Sequence, residues 1–129
     1  MAKKRSTIYV VDDDESVRRA LARLLRSADL NAETFSSADE FLNSPMQKED
    51  SCIIIDIRMP GSTGFDLQQK LATYDIRIPV IVISASDDAL IREHARELGA
   101  IGFFRKPVDD QALLDAISWA ISGAKRDRS

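Results

Sequence analysis

Short apolar runs alternate with segments of helical period along almost the whole chain. Ile8 to Val11 is continuously apolar, and after it Val17, Ala20, Leu21, Leu24, Leu25 and Ala28 recur at helical spacing. They paint one face of a helix while Arg18, Arg19, Arg23 and Arg26 point elsewhere. Leu30 to Phe35 alternates apolar and polar residues, which predicts an edge strand, and Ser37 with Glu40 three residues on predicts a capping box for a short second helix. Cys52 to Ile55 has no polar interruption, as expected of a parallel strand covered on both faces, and the helix after Gly64 carries Phe65, Leu67 and Leu71. Pro79 to Ile83 repeats the pattern and leads to a helix from about Asp87 to Leu98, stopped by Gly99. Ile101 to Phe104 is a fifth strand, broken at Lys106-Pro107. Asp109 then caps a last helix whose inward stripe is Leu113, Leu114, Ile117 and Ile121.

Five strand–helix units predict an α/β three-layer sandwich, a five-stranded parallel sheet with five helices on its two faces and right-handed crossovers. The alternating second strand belongs at an edge and the most apolar strands at the centre, which gives the flavodoxin-like order 2-1-3-4-5. At 129 residues the chain is one domain long, with 44% hydrophobic and 30% charged residues, a balance that excludes disorder and fibrous structure. The expected organisation is a basic tail over 1–6, a domain over 7–122, and a tail or linker start over 123–129. No apolar stretch approaches the roughly 20 residues of a membrane span, and Met1-Ala2-Lys3-Lys4-Arg5 runs into a strand without a signal-peptide core, so a cytoplasmic chain without membrane contact is expected. A net charge of −3 argues against direct nucleic-acid binding, and the basic residues that gather at the two ends, Lys3 to Arg5 and Lys125 to Arg128, read as solvated tails. The single cysteine, Cys52, excludes an internal disulfide and reads as a buried, inert thiol.

In such a sheet, chemistry belongs beyond the carboxyl ends of the strands. The residues that end the runs are Asp12, Asp13 and Asp14 after the first, Asp56 after the third, Ser84 after the fourth and Lys106 after the fifth. An acid or serine after a strand is often only a helix cap, and a lysine there is often solvated. Helix capping, however, does not require acids from separate strands to share one crevice with a lysine opposite. Carboxylates that close together either hold protons or share a hard divalent cation, and Mg2+ suits an all-oxygen site that also takes phosphate. A carboxylate there can accept a phosphoryl group, with lysine and metal offsetting the charge on the transferring oxygens. Asp56, alone at the end of a central strand, is the expected nucleophile, and the adjacent Asp12 and Asp13 are the expected metal ligands. Ser84 and Lys106 are placed to meet phosphoryl oxygens.

These residues resemble a receiver domain of two-component response regulators. The resemblance runs from Val10-Val11-Asp12-Asp13 through Asp56-Ile57-Arg58-Met59-Pro60-Gly61 and Ile83-Ser84-Ala85 to Lys106-Pro107. It is similar in detail to receivers of nitrogen-fixation and LuxR-type transcription regulators. The resemblance implies that Asp56 accepts phosphate from a phosphohistidine on a sensor histidine kinase or histidine phosphotransfer protein. It implies that Asp12, Asp13, Asp56 and the backbone carbonyl of Arg58 hold Mg2+. Ser84 and Lys106 match the phosphoryl-sensing hydroxyl and lysine, and Phe103, three before Lys106, matches an aromatic switch that turns inward when Ser84 moves; otherwise it is a permanently buried strand residue. Arg58 and Ser86 match positions that tune phosphate lifetime, Arg58 either shielding the phosphate or extending to solvent.

Trp119 projects from the last helix roughly opposite its apolar stripe, with the small Ala112 and Ala116 nearby. It is either a contact surface for a partner or a ring lying on its own helix. The resemblance favours the surface of the fourth helix, fifth strand and fifth helix as the contact with a downstream target or output domain, or with a second copy in a phosphorylation-dependent homodimer. His94, the only histidine, lacks companions for a zinc site and is expected to pack near the apolar side of the fourth helix. The expected function is a phosphorylation-switched signalling module that promotes only its own phosphorylation and dephosphorylation and is otherwise no enzyme. The alternatives are a degenerate receiver that binds proteins without phosphorylation, which the complete set of site residues speaks against, and a small aspartyl-phosphate phosphatase, which lacks a second acid where Arg58 stands.

Overall fold

The computed structural model of the chain describes residues 5–59, 62–86 and 88–127. The expected basic start at Lys3 and Lys4, the Pro60-Gly61 pair, Asp87 as a helix start, and the tail residues Arg128 and Ser129 lie outside the described residues. The strands are β1 (Thr7–Val11), β2 (Asn31–Phe35), β3 (Ser51–Asp56), β4 (Arg58–Met59), β5 (Ser62–Thr63), β6 (Val80–Ser84) and β7 (Ala100–Arg105). The helices are α1 (Glu15–Ser27), α2 (Ala38–Leu42), α3 (Gly64–Thr73), α4 (Ala89–Glu97) and α5 (Asp110–Asp127). The main sheet is parallel in the order β2-β1-β3-β6-β7. That is the expected 2-1-3-4-5 once the two-residue antiparallel pair β4–β5, which the sequence did not announce, is set aside.

Alternation along the strands sorts the core into two layers, because successive side chains leave opposite faces of a sheet. Tyr9, Val11, Ile53, Ile55 and Val82 meet Phe41, Leu67, Leu71 and Ala95 of α2, α3 and α4. Ile8, Val10, Cys52, Ile54, Ile81 and Ile83 meet Leu21 and Leu25 of α1 and Leu113, Ile117 and Ile121 of α5. Burying this continuous run on both faces is what makes β1, β3 and β6 central. Cys52 is fully buried, and burial pushes its thiol up to about 12, as expected of an inert core residue.

Several helix ends differ from expectation. Ser37 accepts from the Glu40 amide at 3.1 Å, but the Glu40 carboxylate accepts from the Ser36 hydroxyl at 2.9 Å, so the expected box closes on one side only. The reciprocal box is at α3, where Thr63 and Asp66 each accept from the other's amide at 3.2 and 2.9 Å. Helix α4 starts at Ala89 with Asp88 as its cap, later than expected. It closes at Gly99, whose φ of 105° suits a residue without a Cβ. Helix α5 continues to Asp127 through the stretch where a linker start was expected, since no proline interrupts it. Among the described residues no helix is long and apolar enough to cross a membrane.

Candidate functional site

The parallel register brings the carboxyl ends of the strands level. Val11 lies beside Ile55, Asp56 beside Ile83, and Ser84 beside Arg105. Asp12 extends the β1 ladder by donating its amide to the Phe35 carbonyl at 3.0 Å, and Lys106 does the same beyond β7 with the Ser84 carbonyl at 2.8 Å. Side chains distant in sequence therefore emerge on one rim. Carboxylate oxygens of Asp12, Asp13 and Asp56 all lie within 4.8 Å of one another. The Lys106 ammonium stands 3.0 Å from Asp12 Oδ2 and 3.3 Å from Asp56 Oδ2.

Each acid is held by its local backbone. Asp12, wholly buried, accepts the Asp14 amide on Oδ1 at 2.9 Å, and Arg18 donates from Nη1 to the Asp12 carbonyl at 2.7 Å. Asp14 is no part of the acid group: it caps α1 by accepting from the Ser16 and Val17 amides. Asp56 accepts from the Arg58 amide at 3.3 Å. A Cβ on Gly64 would lie 2.7 Å from the Asp56 carbonyl oxygen and 2.9 Å from Ile57 Cα, so only glycine lets α3 begin against the end of β3.

Burial, followed by the charge of Asp12, raises the Asp56 carboxyl to about 6 against the pull of Lys106 and the Arg58 amide. Burial works against the Lys106 charge, but its hydrogen bond and charge interactions with Asp12 and Asp56 outweigh this and hold its ammonium above the ordinary lysine range. Three carboxylates facing one ammonium leave excess negative charge, and an all-oxygen donor set matches a hard divalent cation such as Mg2+.

Ser84 is buried at the end of β6, and its Oγ accepts from the Ser86 amide at 3.1 Å, which leaves the hydroxyl proton for another acceptor. Ser86 in turn accepts from the Asp88 amide. The Arg58 side chain is exposed. Phe103 is half-buried against the α2–α4 layer, with the Arg92 guanidinium 5.7 Å from its ring centre. Trp119 is 60% exposed, but its groove, with Ile78, Pro79 and Ile101, lies at the amino ends of the strands, away from the acids. Ala116 packs inward against the α1–α5 layer, so it does not share an outward patch with Trp119, and Ala112 is half-buried. His94 is exposed and meets the Phe65 ring edge-on at 4.4 Å; the buried position on α4 is Ala95.

Sequence reasoning missed three contributors. Arg18 sits off the apolar stripe of α1 and so reads as solvated, although its side chain reaches back to Asp12. Gly64 carried a signal, a glycine where a helix begins. Gln68 did too: it is a polar residue within the inward stripe of α3, buried and donating from Nε2 to the Ala95 carbonyl at 3.0 Å.

Residues 8–118 match the response regulator receiver domain family. Nodulation protein W of Bradyrhizobium diazoefficiens is 41% identical over 127 residues, 98% of this chain and 55% of that protein. Response regulator protein TodT of Pseudomonas putida is 41% identical over 129 residues, 100% of this chain and 57% of that protein. Among solved structures, response regulator StyR is 41% identical with a TM-score of 0.87, covering 97% of this chain and 64% of that one. FixJ-N is 31% identical with a TM-score of 0.82, covering 93% and 96%. The chain thus spans a little over half the length of the curated relatives it matches.

Proposed function

Because this chain belongs to the response regulator receiver domain family, we propose that it is a phosphorylation-switched signalling module of the cytoplasm whose phosphoacceptor is Asp56. The observation that carries this reading is the convergence of Asp12, Asp13 and Asp56 within reach of one ammonium, Lys106. A partner histidine kinase or histidine phosphotransfer protein presents a phosphohistidine. An Asp56 carboxylate oxygen forms a bond to phosphorus as the phosphorus–nitrogen bond breaks, and the electron pair returns to the imidazole. Asp12, Asp13 and Asp56, with the Arg58 carbonyl, would hold Mg2+, which would supply positive charge to offset that of the transferring oxygens. Lys106 pairs with a phosphoryl oxygen, and the free proton of Ser84 bonds another.

Drawing Ser84 toward the phosphoryl group changes the packing beside Phe103, whose ring is half-buried and lies under the Arg92 guanidinium. That change alters the outer surface of α4, β7 and α5, through which a target, an output domain or a second copy is engaged. Leu90, 80% exposed on α4, and Trp119 on α5 supply apolar contacts for such partners. Arg58 and Ser86 flank the approach of the water that ends the signal. The receiver domain is assigned to residues 7–122, with α5 running on past it to Asp127, and the chain promotes only its own phosphorylation and dephosphorylation.

Incubation with acetyl phosphate and Mg2+, followed by intact mass and peptide mapping, tests the reading. One added phosphoryl group on Asp56, absent in Asp56→Asn, is expected. An unchanged mass would turn the assignment toward a phosphorylation-independent binding module, and sustained release of inorganic phosphate from aryl phosphates toward a phosphatase.

A further inference from the structure

β2 ends the sheet, with β1 on one side of it and nothing from the described residues paired on the other. Asn31 donates its amide to Ser6, and the Phe35 carbonyl accepts from Asp12, so the odd-numbered residues of β2 face β1. Alternation then turns the amides and carbonyls of Ala32 and Thr34 outward. The Ala32 carbonyl confirms this by accepting from Arg26 Nη2 at 3.2 Å. Over this edge lies a groove of about 600 Å³ lined by Arg18, Arg19, Arg23, Arg26 and Thr34, with Ala22 as an apolar side and Glu15 as its one carboxylate. A second hollow of about 380 Å³ shares Arg26 and continues past Asn31 and Glu33 to Arg5.

The charge here runs against the whole molecule, which carries a net −3. Arg19 pairs with Glu15 and Arg5 with Asp29, but Arg18 and Arg26 bond only main-chain carbonyls, and no ion pair is recorded for Arg23 among the described residues. Three guanidinium groups thus line an open strand edge without a carboxylate partner.

We infer that the groove between α1 and the outer edge of β2 docks an extended acidic segment of a partner protein, added to the sheet as a further strand. Strand addition requires main-chain amides on the incoming chain, which nucleic acid lacks, and guanidinium forks match carboxylates. Ala32 belongs to the α1 face of the sheet, so every second side chain of the added strand points toward the arginines, and Asp or Glu belongs at those positions. The incoming strand displaces Arg26 from the Ala32 carbonyl and gives it a carboxylate in exchange. The groove meets the acid rim at Arg18, which bonds the Asp12 carbonyl, whereas Arg23 and Arg26 lie farther along α1.

The opposing explanation is that the arginines only guard an exposed edge against aggregation. Fluorescence anisotropy of a labelled peptide alternating Glu and Thr, titrated with the full chain, separates the two. Saturable binding is expected, weakened about fivefold to tenfold by Arg23→Glu, and lost when alternate peptide amides are N-methylated at unchanged charge. Circular dichroism and acetyl phosphate labelling of Asp56 should be the same in Arg23→Glu as in the parent. No saturable binding, equal binding of the N-methylated peptide, or tighter binding of a single-stranded oligonucleotide would each overturn the proposal.

Discussion

Asp56 is held in tension by its own surroundings. Its carboxyl ionises near 3.8 in an unfolded chain but keeps its proton to about 6 in the fold, chiefly because it is buried and secondly because Asp12 is near. Between those values the native state binds more protons than the unfolded state, so this group lowers stability as pH rises through the window. Asp56→Asn removes that cost. In metal-free buffer it should raise stability at pH 7 by on the order of 1–3 kcal/mol, with the gain fading toward pH 4. Urea unfolding at the two pH values measures this, and an equal gain at both would contradict it. Gly64→Ala should cost about 1–3 kcal/mol, since the atoms its Cβ meets at 2.7 and 2.9 Å include strand backbone that cannot swing aside. Thermal unfolding of this variant reads the loss directly. The acids were legible because a charge ending an apolar run is a strong local signal. Arg18 was not, because helical arithmetic gives the direction of a Cβ and not the reach of a long side chain.

Among the elements, α4 is attached by an unusual contact. Its last turn leaves the Ala95 carbonyl for Gln68 Nε2, so a side chain of α3 completes the end of α4. Gln68→Ala should leave that buried carbonyl unpaired and destabilise the fold by about 1–3 kcal/mol. It should also speed amide exchange in the last turn of α4 while leaving α1 unchanged. Uniform acceleration across both helices would show only a general loss of stability. Long elements could be read from their period alone, including the α5 stripe of Leu113, Ile117 and Ile121. The β4–β5 pair could not, because two residues carry no period. The Thr63–Asp66 box went unread because Asp66 replaces the longer acid usual at that position. Ser37 and Glu40 have the expected letters, but the carboxylate finds a nearer hydroxyl on Ser36.

For the molecule as a whole, the acid rim joins the ends of β1 and β3, so a cation bound there ties two central strands together. Adding Mg2+ should raise the thermal midpoint, with a stabilisation of about 2.7 kcal/mol at a hundredfold excess over Kd. Asp13→Ala should remove most of that rise while changing metal-free stability little, because Asp13 is exposed. A midpoint insensitive to Mg2+ in the parent chain would refute metal binding at this rim. The identity of the long strands and helices, the order of the main sheet and the candidate residues at the strand ends were legible in the sequence itself, because hydrophobic period and the letter that ends each run are local properties. Tertiary structure alone decided which of those letters meet. It turned Asp14 into a cap, set Lys106 between Asp12 and Asp56, sent Trp119 to the far end of the strands, and lined the β2 edge with arginines. Each of these depends on the register and stacking of elements far apart along the chain, and no local pattern encodes the distance between them.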